Sequence, residues 1–278
     1  MQEILSPDKI LDKVSDVYVG KARASSKKLF ILSFIAGVFI AFAAGGSTFA
    51  SFDLLASKDS LGIGKLIQGL TFTPGLIFVL IGGAELFTGN NLMVISVLDK
   101  KISIKELLRA WGIVYIGNFI GSVFFAFLML KSGQWNSEAS ELGARVILIA
   151  NSKVNLGFSQ ALILGIACNW LVCLAVWMSF GSDSQIGKMF CAFFPVMLFV
   201  LSGFEHSIAN MYYIPAGILA KSIPEYVAAT GLDQAALNGL NWGSFLGHNL
   251  LPVTLGNIIG GGIFVGLGYW LAYRKRGN

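Results

Sequence analysis

The sequence predicts an all-α polytopic membrane protein with six transmembrane spans. Hydrophobic residues make up 55% of the 278 residues and charged residues only 13%, and the mean hydropathy is +0.72. A soluble domain carries about twice that share of charged residues. Two further observations predict the same fold: long apolar runs separated by short polar stretches, and two weakly similar halves.

Six apolar runs are long enough to cross a hydrocarbon core of about 30 Å, which takes roughly 20 helical residues. They cover residues 29–52, 66–98, 111–130, 158–180, 189–219 and 249–273. The second and fifth runs are too long for one straight span, since either would measure more than about 45 Å as a helix. Glycines interrupt both runs, at Gly82-Gly83 and at Ser202-Gly203. We therefore expect broken helices 2 and 5.

The two halves share a pair of motifs. GGAELFTGN (82–90) carries Glu85 and GFEHSIAN (203–210) carries Glu205, and in both an Asn follows five residues after the Glu. GNFIG (117–121) is then matched downstream by GNIIG (256–260). Each half has three crossings, an odd number, so the second half enters the membrane from the opposite side. The halves are therefore predicted to be inverted three-helix repeats.

The distribution of positive charge predicts the orientation. Fourteen of the 20 Lys and Arg residues fall in the N-terminal segment, in 100–109, at Lys188 and at 274–276. By the positive-inside rule, both termini are cytoplasmic. Residues 1–28 lack an apolar core of signal-peptide length, so we expect a cytoplasmic amphipathic segment followed by a channel domain at 29–278. Its apolar positions roughly follow helical spacing: Ile4, Ile10, Leu11, Val14 and Val17.

Several function classes fit this composition poorly. The three cysteines lie in apolar runs and there are two histidines, His206 and His248, which does not favour a metal centre or haem ligation. The net charge of +5 comes from basic residues at the ends of apolar runs, which is typical of membrane proteins. We expect no enzyme activity, no cofactor, no metal and no nucleic-acid partner.

Breaks in inverted repeats characteristically meet near the bilayer midplane and line a cavity. Half-helices beginning at Glu85 or Glu205 would direct backbone donors at the centre, which favours anions. Each carboxylate also has a structural interpretation, as an acceptor for those donors in the first helical turn. His206 is either a hydrogen-bonded core residue or a pore-facing group.

Other candidates carry the same two interpretations. Lys153 is either a solvated charge or a vestibule cation that concentrates anions. Asn169 either links helices or holds the imidazole of His206 in one tautomer. Five apolar residues flank the breaks and either pack or form hydrophobic constrictions: Phe72, Leu76, Leu86, Phe87 and Phe199.

Four stretches resemble the formate/nitrite transporter family, and the resemblance extends over about residues 25–275. They are GFEHSIANM (203–211), AELFTGN (84–90), CNWLVCLAVWMSF (168–180) and LPVTLGNIIGGG (251–262), with GNFIG (117–121) between them in family order. The resemblance implies an aquaporin-like fold, a homopentamer with one pore per protomer in the inner membrane, and a pathway for small monovalent anions such as formate, nitrite or hydrosulfide.

The resemblance also implies roles for individual residues. His206 matches the central pore histidine, Asn169 its partner, Thr88 the polar residue of the first broken loop, Lys153 the vestibule lysine and Glu205 the acid beside the histidine. Leu76, Phe199, Phe72, Leu86 and Phe87 match the constriction positions. The hypothesis is that an anion takes a proton at or near His206 and crosses the constrictions as the neutral acid.

The loop TGNN (88–91) looks more like the nitrite and hydrosulfide branches than the formate branch. Asn151, Ser152 and Asn155 stand where the family places a histidine near Lys153, which weakens the expectation of histidine-based gating. A proton-coupled symporter would share this pore chemistry. An aquaporin-like channel for neutral solutes would share the architecture, but the sequence has no Asn-Pro-Ala motif.

Overall fold

The computed structural model describes residues 4–136 and 140–274, and its regular elements there are helices. In chain order they are α1 (Pro7–Arg23), α2 (Ser26–Ser51), α3 (Leu61–Phe72), α4 (Pro74–Gly82), α5 (Val94–Leu98), α6 (Ile104–Ser132), α7 (Glu141–Val154), α8 (Phe158–Gly181), α9 (Gln185–Leu201), α10 (Ser207–Ala220), α11 (Pro224–Thr230), α12 (Gln234–Gly239), α13 (Trp242–Ser244), α14 (Leu251–Ile258) and α15 (Gly268–Tyr273). Short 3₁₀ helices cover Gly89–Met93 and Gln134–Asn136, and π-helical turns cover Phe245–Leu250 and Ile259–Leu267.

Five helical stretches in the described part are long and apolar enough to cross a membrane. They are α2, α3 with α4 (Leu61–Gly82), α6, α8, and the continuous stretch Trp242–Tyr273. The predicted fifth run consists instead of two shorter helices, α9 and α10, separated at residues 202–206. The all-helical fold and both predicted breaks are therefore confirmed.

Both breaks begin at a glycine in the left-handed region. Gly83 ends α4 with φ of 76°, and Gly203 follows α9 with φ of 71°. An L-residue with a Cβ is disfavoured there by about 1–2 kcal/mol. The two loops therefore turn away from their first half-helix at equivalent points of the two repeats.

The Gly-Asn-x-x-Gly spacing that GNFIG (117–121) and GNIIG (256–260) share has a packing explanation. A Cβ on Gly121 of α6 would lie 2.1 Å from the Phe34 carbonyl oxygen of α2, and a Cβ on Gly256 of α14 would lie 2.2 Å from the Leu162 carbonyl oxygen of α8. Each Gly-Asn-x-x-Gly motif thus brings the third helix of its half against the backbone of the first.

Some boundaries differ from the expected ones. The stretch 131–155, which follows the third apolar run, contains α7, whose buried face includes Leu142 and Ile147 and packs on α10. An amphipathic helix of this length has too few apolar residues to stand out in a hydropathy reading. The last stretch begins at Trp242 rather than Asn249, because Asn241 and Ser244 form a capping box.

The N-terminal segment is a helix packed on the bundle. Leu11, Val14 and Tyr18 of α1 are buried, whereas Ile4 and Val17 are exposed. Asp99 connects α1 to the end of the chain: it accepts from Ser15 Oγ at 2.6 Å and from Trp270 Nε1 at 2.8 Å, and it pairs with Arg274. Residues 275 and 276 of the predicted basic cluster lie outside the described residues.

The glycine contact predicts a specific sensitivity. Gly121→Ala is expected to destabilise the fold by about 1–3 kcal/mol, because its Cβ would meet a fixed backbone carbonyl. Gly112→Ala in the same helix meets nothing within 4 Å and is the matched control. Thermal unfolding of the detergent-solubilised variants measures the difference. Equal unfolding midpoints for the two variants would contradict the packing role.

Candidate pore

A vestibule of about 570 Å³ opens into the helical bundle. Its charged lining residues are Lys65 of α3, Arg145 and Lys153 of α7, and Glu205 of the second broken loop. His206 lines its inner end together with Phe72 and Phe199. The vestibule therefore carries more positive than negative side chains and leads to the histidine.

A much smaller cavity of about 10 Å³ lies beyond, and His206, Phe72 and Phe199 line both spaces. The other lining residues of the small cavity are apolar: Ile40, Leu76, Leu86, Val172 and Val196. A space of this size holds about one water molecule. The passage thus narrows from a charged vestibule to an apolar constriction at the histidine.

Four of the five expected constriction residues, Phe72, Leu76, Leu86 and Phe199, meet at this small cavity. Phe87 does not: its ring packs against Trp111 and Tyr115 of α6, with centroid distances of 5.7 and 4.9 Å. Of these two neighbouring loop residues, the structure brings Leu86 to the small cavity and packs Phe87 against α6.

His206 is the N-cap of α10. Its Nδ1 accepts a hydrogen bond from the Ala209 backbone N–H at 3.0 Å, and its Nε2 lies 2.9 Å from Thr88 Oγ1. Because a backbone N–H only donates, Nδ1 is unprotonated in this arrangement, and the neutral ring carries its proton on Nε2. His206 therefore donates to Thr88, which leaves the Thr88 hydroxyl hydrogen to be donated elsewhere.

The two glutamates do not cap their half-helices. Glu205 accepts from Lys153 Nζ at 2.7 Å and from Asn210 Nδ2 at 2.6 Å, and Glu85 accepts from Lys21 Nζ at 3.2 Å and from Asn90 Nδ2 at 2.9 Å. Since α10 begins only at Ser207, Glu205 precedes the first turn, and His206 takes the capping position. Each carboxylate instead forms an ion pair with a lysine and accepts a hydrogen bond from the Asn five residues later.

Two asparagines, one in each Gly-Asn-x-x-Gly motif, hold the broken loops in the same way. Asn118 accepts from the Phe87 N–H at 2.9 Å and donates to the carbonyls of Ser33 and Glu85 at 2.7 and 2.9 Å. We call this arrangement an asparagine clamp, because one side chain joins the loop to the first helix of its half. It leaves the loop's buried backbone groups satisfied.

The second asparagine clamp matches the first bond for bond. Asn257 accepts from the Ser207 N–H at 2.9 Å and donates to the carbonyls of Gly165 and Glu205 at 2.8 and 3.0 Å. From the sequence, both asparagines were noted only as part of a repeat. An amide side chain at the same position of two repeats, inside an apolar helix, was the available signal of this role.

The sequence left two interpretations for Asn169, that it links helices or that it holds the imidazole of His206. Its Nδ2, which carries two hydrogens, lies within hydrogen-bonding distance of Thr88 O at 3.2 Å, Asn91 Oδ1 at 2.8 Å and Asn257 O at 2.7 Å. The two imidazole nitrogens are already occupied by Ala209 and Thr88. Asn169 therefore fixes the loop that carries Thr88 and acts on His206 only through it.

Lys153 lines the vestibule, but its charge is compensated. Its ammonium pairs with Glu205 at 2.7 Å and lies 5.4 Å from the centroid of the Tyr213 ring. Both members of the ion pair are largely buried. Other side chains of the vestibule therefore have to supply the positive charge that is available to a solute.

The two broken loops of this internally repeated helical bundle hold a charged vestibule, a histidine–threonine pair and an apolar constriction. Together these features define a membrane channel or transporter for small solutes. The comparisons with known proteins agree. Residues 8–271 match the model of the formate/nitrite transporter family, described as "Formate/nitrite transporter". The chain belongs to this family.

Similar proteins include the formate channel FocA of Escherichia coli (strain K12), 38% identical over 282 residues, with 99% of this chain and 97% of that protein covered. A probable formate transporter of Methanothermobacter thermautotrophicus is 39% identical over 269 residues, with 92% of both chains covered. A solved structure titled "Pentameric formate channel with formate bound" has a TM-score of 0.80 and 43% identity, and covers 90% of this chain and 98% of its own.

Loss of an asparagine clamp is expected to be costly. Asn257→Ala leaves the Ser207 N–H and the Glu205 carbonyl of the loop without this partner, which predicts a loss of about 3 kcal/mol in the free energy of unfolding. Asn155→Ala is the control, since Asn155 is exposed and its side chain bonds only to neighbouring Asn151. Unfolding midpoints in detergent measure both, and a harmless Asn257→Ala substitution would contradict the clamp.

Proposed function

We propose that this protein is a channel for small monovalent anions of weak acids, with formate ahead of nitrite and hydrosulfide. Family membership supports a transport function, and the relatives described above are named as formate channels or transporters. Those relatives favour formate, whereas the TGNN loop favours the nitrite and hydrosulfide branches. The proposed ranking follows the whole-chain similarity rather than the four loop residues.

The observation that carries the proposal is the position of the His206–Thr88 pair. His206 lines both the charged vestibule and the apolar cavity of about 10 Å³, and Thr88, which lines neither space, is hydrogen-bonded to it. A bare charge in such a passage costs on the order of 3 kcal/mol or more, whereas a small neutral acid avoids most of this cost. An anion is therefore drawn into the vestibule as a charge and crosses the constriction as its neutral acid.

The capping role of His206 supports a particular source for the proton. An imidazolium would need a proton on Nδ1, which would remove the hydrogen bond from Ala209 and set two donors against each other. His206 therefore stays neutral and donates its Nε2 proton to Thr88, whose own hydroxyl hydrogen is left to be donated. The anion takes its proton from a hydronium ion of the vestibule solvent near His206, which leaves a water molecule behind.

The assembly and orientation complete the proposal. The 43% identical structure is pentameric by its title, and we infer that this chain also forms a homopentamer with one pore in each protomer. The distribution of Lys and Arg supports placement in the inner membrane with both termini, and the segment 1–28, on the cytoplasmic side of the channel domain 29–278. In this orientation α7 and the vestibule face outward.

Substitutions of His206 separate its possible roles. His206→Phe removes the cap and the donor, so formate flux is expected to fall at least about tenfold, the effect of losing one well-placed polar group. His206→Asn keeps a good N-cap and a donor, and is expected to retain both flux and its pH dependence. Light scattering of proteoliposomes during formate-driven swelling, from pH 5 to 8, measures both variants. Loss of the pH dependence in His206→Asn would show that the imidazole itself supplies the proton.

Substitutions of Thr88 test the second polar group. Thr88→Val is nearly isosteric but lacks the hydroxyl, so formate flux is expected to fall at least about tenfold, while Thr88→Ser retains most of it. Thr71→Val is the control, because the Thr71 hydroxyl bonds to the carbonyls of its own helix. Equal flux in Thr88→Val and Thr71→Val would exclude a role for the Thr88 hydroxyl.

A further inference from the structure

Among the described residues, two positive side chains of the vestibule have no carboxylate partner. Lys65 of α3 and Arg145 of α7 line it together with Lys153, but only Lys153 forms an ion pair there, with Glu205. Glu205 is the one carboxylate among the described lining residues. Lys65 and Arg145 therefore contribute two uncompensated positive charges to this space.

Neither charge is simply a solvated surface group. Lys65 and Arg145 are both partly buried, and in the described residues every ion pair within 4.0 Å joins other side chains. Partly burying an unpaired cation costs free energy, which proteins normally offset with a carboxylate. A positive field inside a concave, partly enclosed space raises the local concentration of anions.

The Lys65 ammonium lies close to the loop that carries His206. It is 3.9 Å from the point where a Cβ on Gly203 would stand, and it lines the same vestibule as Lys153 and Glu205. Glu205 is engaged by Lys153 and Asn210, so it does not neutralise Lys65 through a direct contact. An anion beside Lys65 is therefore at the entrance of the path to the histidine.

We propose that Lys65 and Arg145 form an anion-capture pair that binds a planar anion with two oxygens in the vestibule before it reaches His206. This inference rests on the proposed function and adds residues and a ligand preference to it. The guanidinium group has a planar fork of donors that matches two oxygens, as in formate or nitrite, and gives no such advantage for hydrosulfide. The pair thus favours oxyanions over hydrosulfide at the entrance.

The test uses the full-length protein in intact cells, where the vestibule faces the medium in the proposed orientation. Initial uptake of radiolabelled formate is measured for Arg145→Gln, Lys65→Gln and the double variant at low and high salt. We expect the half-saturating formate concentration to rise at least about threefold in each single variant and further in the double variant, with the maximal rate within about twofold of wild type. The difference should shrink in about 1 M salt, which shortens the Debye length to about 3 Å.

Two further variants make the test specific. Arg145→Lys keeps the charge but not the planar fork of donors. Unlike Arg145→Gln, it should therefore show the salt dependence of formate uptake seen in the wild type, but a reduced preference for formate over hydrosulfide. Lys131→Gln removes an exposed cation of α6 that does not line the vestibule, and should behave as wild type. Monodisperse elution of each variant, with an unchanged unfolding midpoint, excludes misfolding as the cause.

The outcomes distinguish this inference from the proposed function. If wild-type cells take up no formate beyond cells without the protein, the proposed function fails. If the wild type transports formate but the Arg145 and Lys65 variants match Lys131→Gln in half-saturating concentration and salt dependence, the capture pair is excluded and the channel proposal stands. An unchanged formate preference in Arg145→Lys would overturn the role of the fork.

Discussion

The two asparagine clamps are the constraint on which the rest of the pore depends. A broken helix inside a membrane exposes backbone groups that lipid cannot satisfy, and each such group costs several kcal/mol. Asn118 and Asn257 each bind two of these groups and tie them to a carbonyl of the first helix of their half. Because the clamps are equivalent in the two repeats, the loops they hold enter the centre of the bundle in a fixed relation to each other.

That relation produces the polar pair of the passage. The first loop presents Thr88, the second presents His206, and their side chains meet at 2.9 Å. Asn169 reinforces the arrangement, since it binds the carbonyls of Thr88 and Asn257 and so connects one loop to the clamp of the other. The helix cap on Nδ1 then determines which ring nitrogen faces Thr88. The hydrogen bond from the Ala209 N–H to Nδ1 thus leaves the ring proton on Nε2, the nitrogen that faces Thr88.

Much of the fold could be predicted from the sequence because its signals are local. Glycines and a glutamate inside an over-long apolar run predict a break, and matching motifs predict a repeat. What could not be predicted depends on contacts between distant segments. The pairing of Lys153 with Glu205, the redirection of Asn169 from His206 to Thr88, and the packing of Phe87 on α6 each require knowing which loops meet. The helix α7 escaped detection because its apolar face is short.

The most direct test of the account asks in which form the solute crosses the apolar constriction. Proteoliposomes containing the protein and an internal pH indicator are given an inward formate gradient while valinomycin and potassium set the membrane potential, beside protein-free vesicles. If formate crosses as the neutral acid, each formate brings one proton, the interior acidifies in step with uptake, and the rate does not respond to the imposed potential. Formate uptake that follows the potential without acidification would show that the bare anion crosses, and would contradict the account.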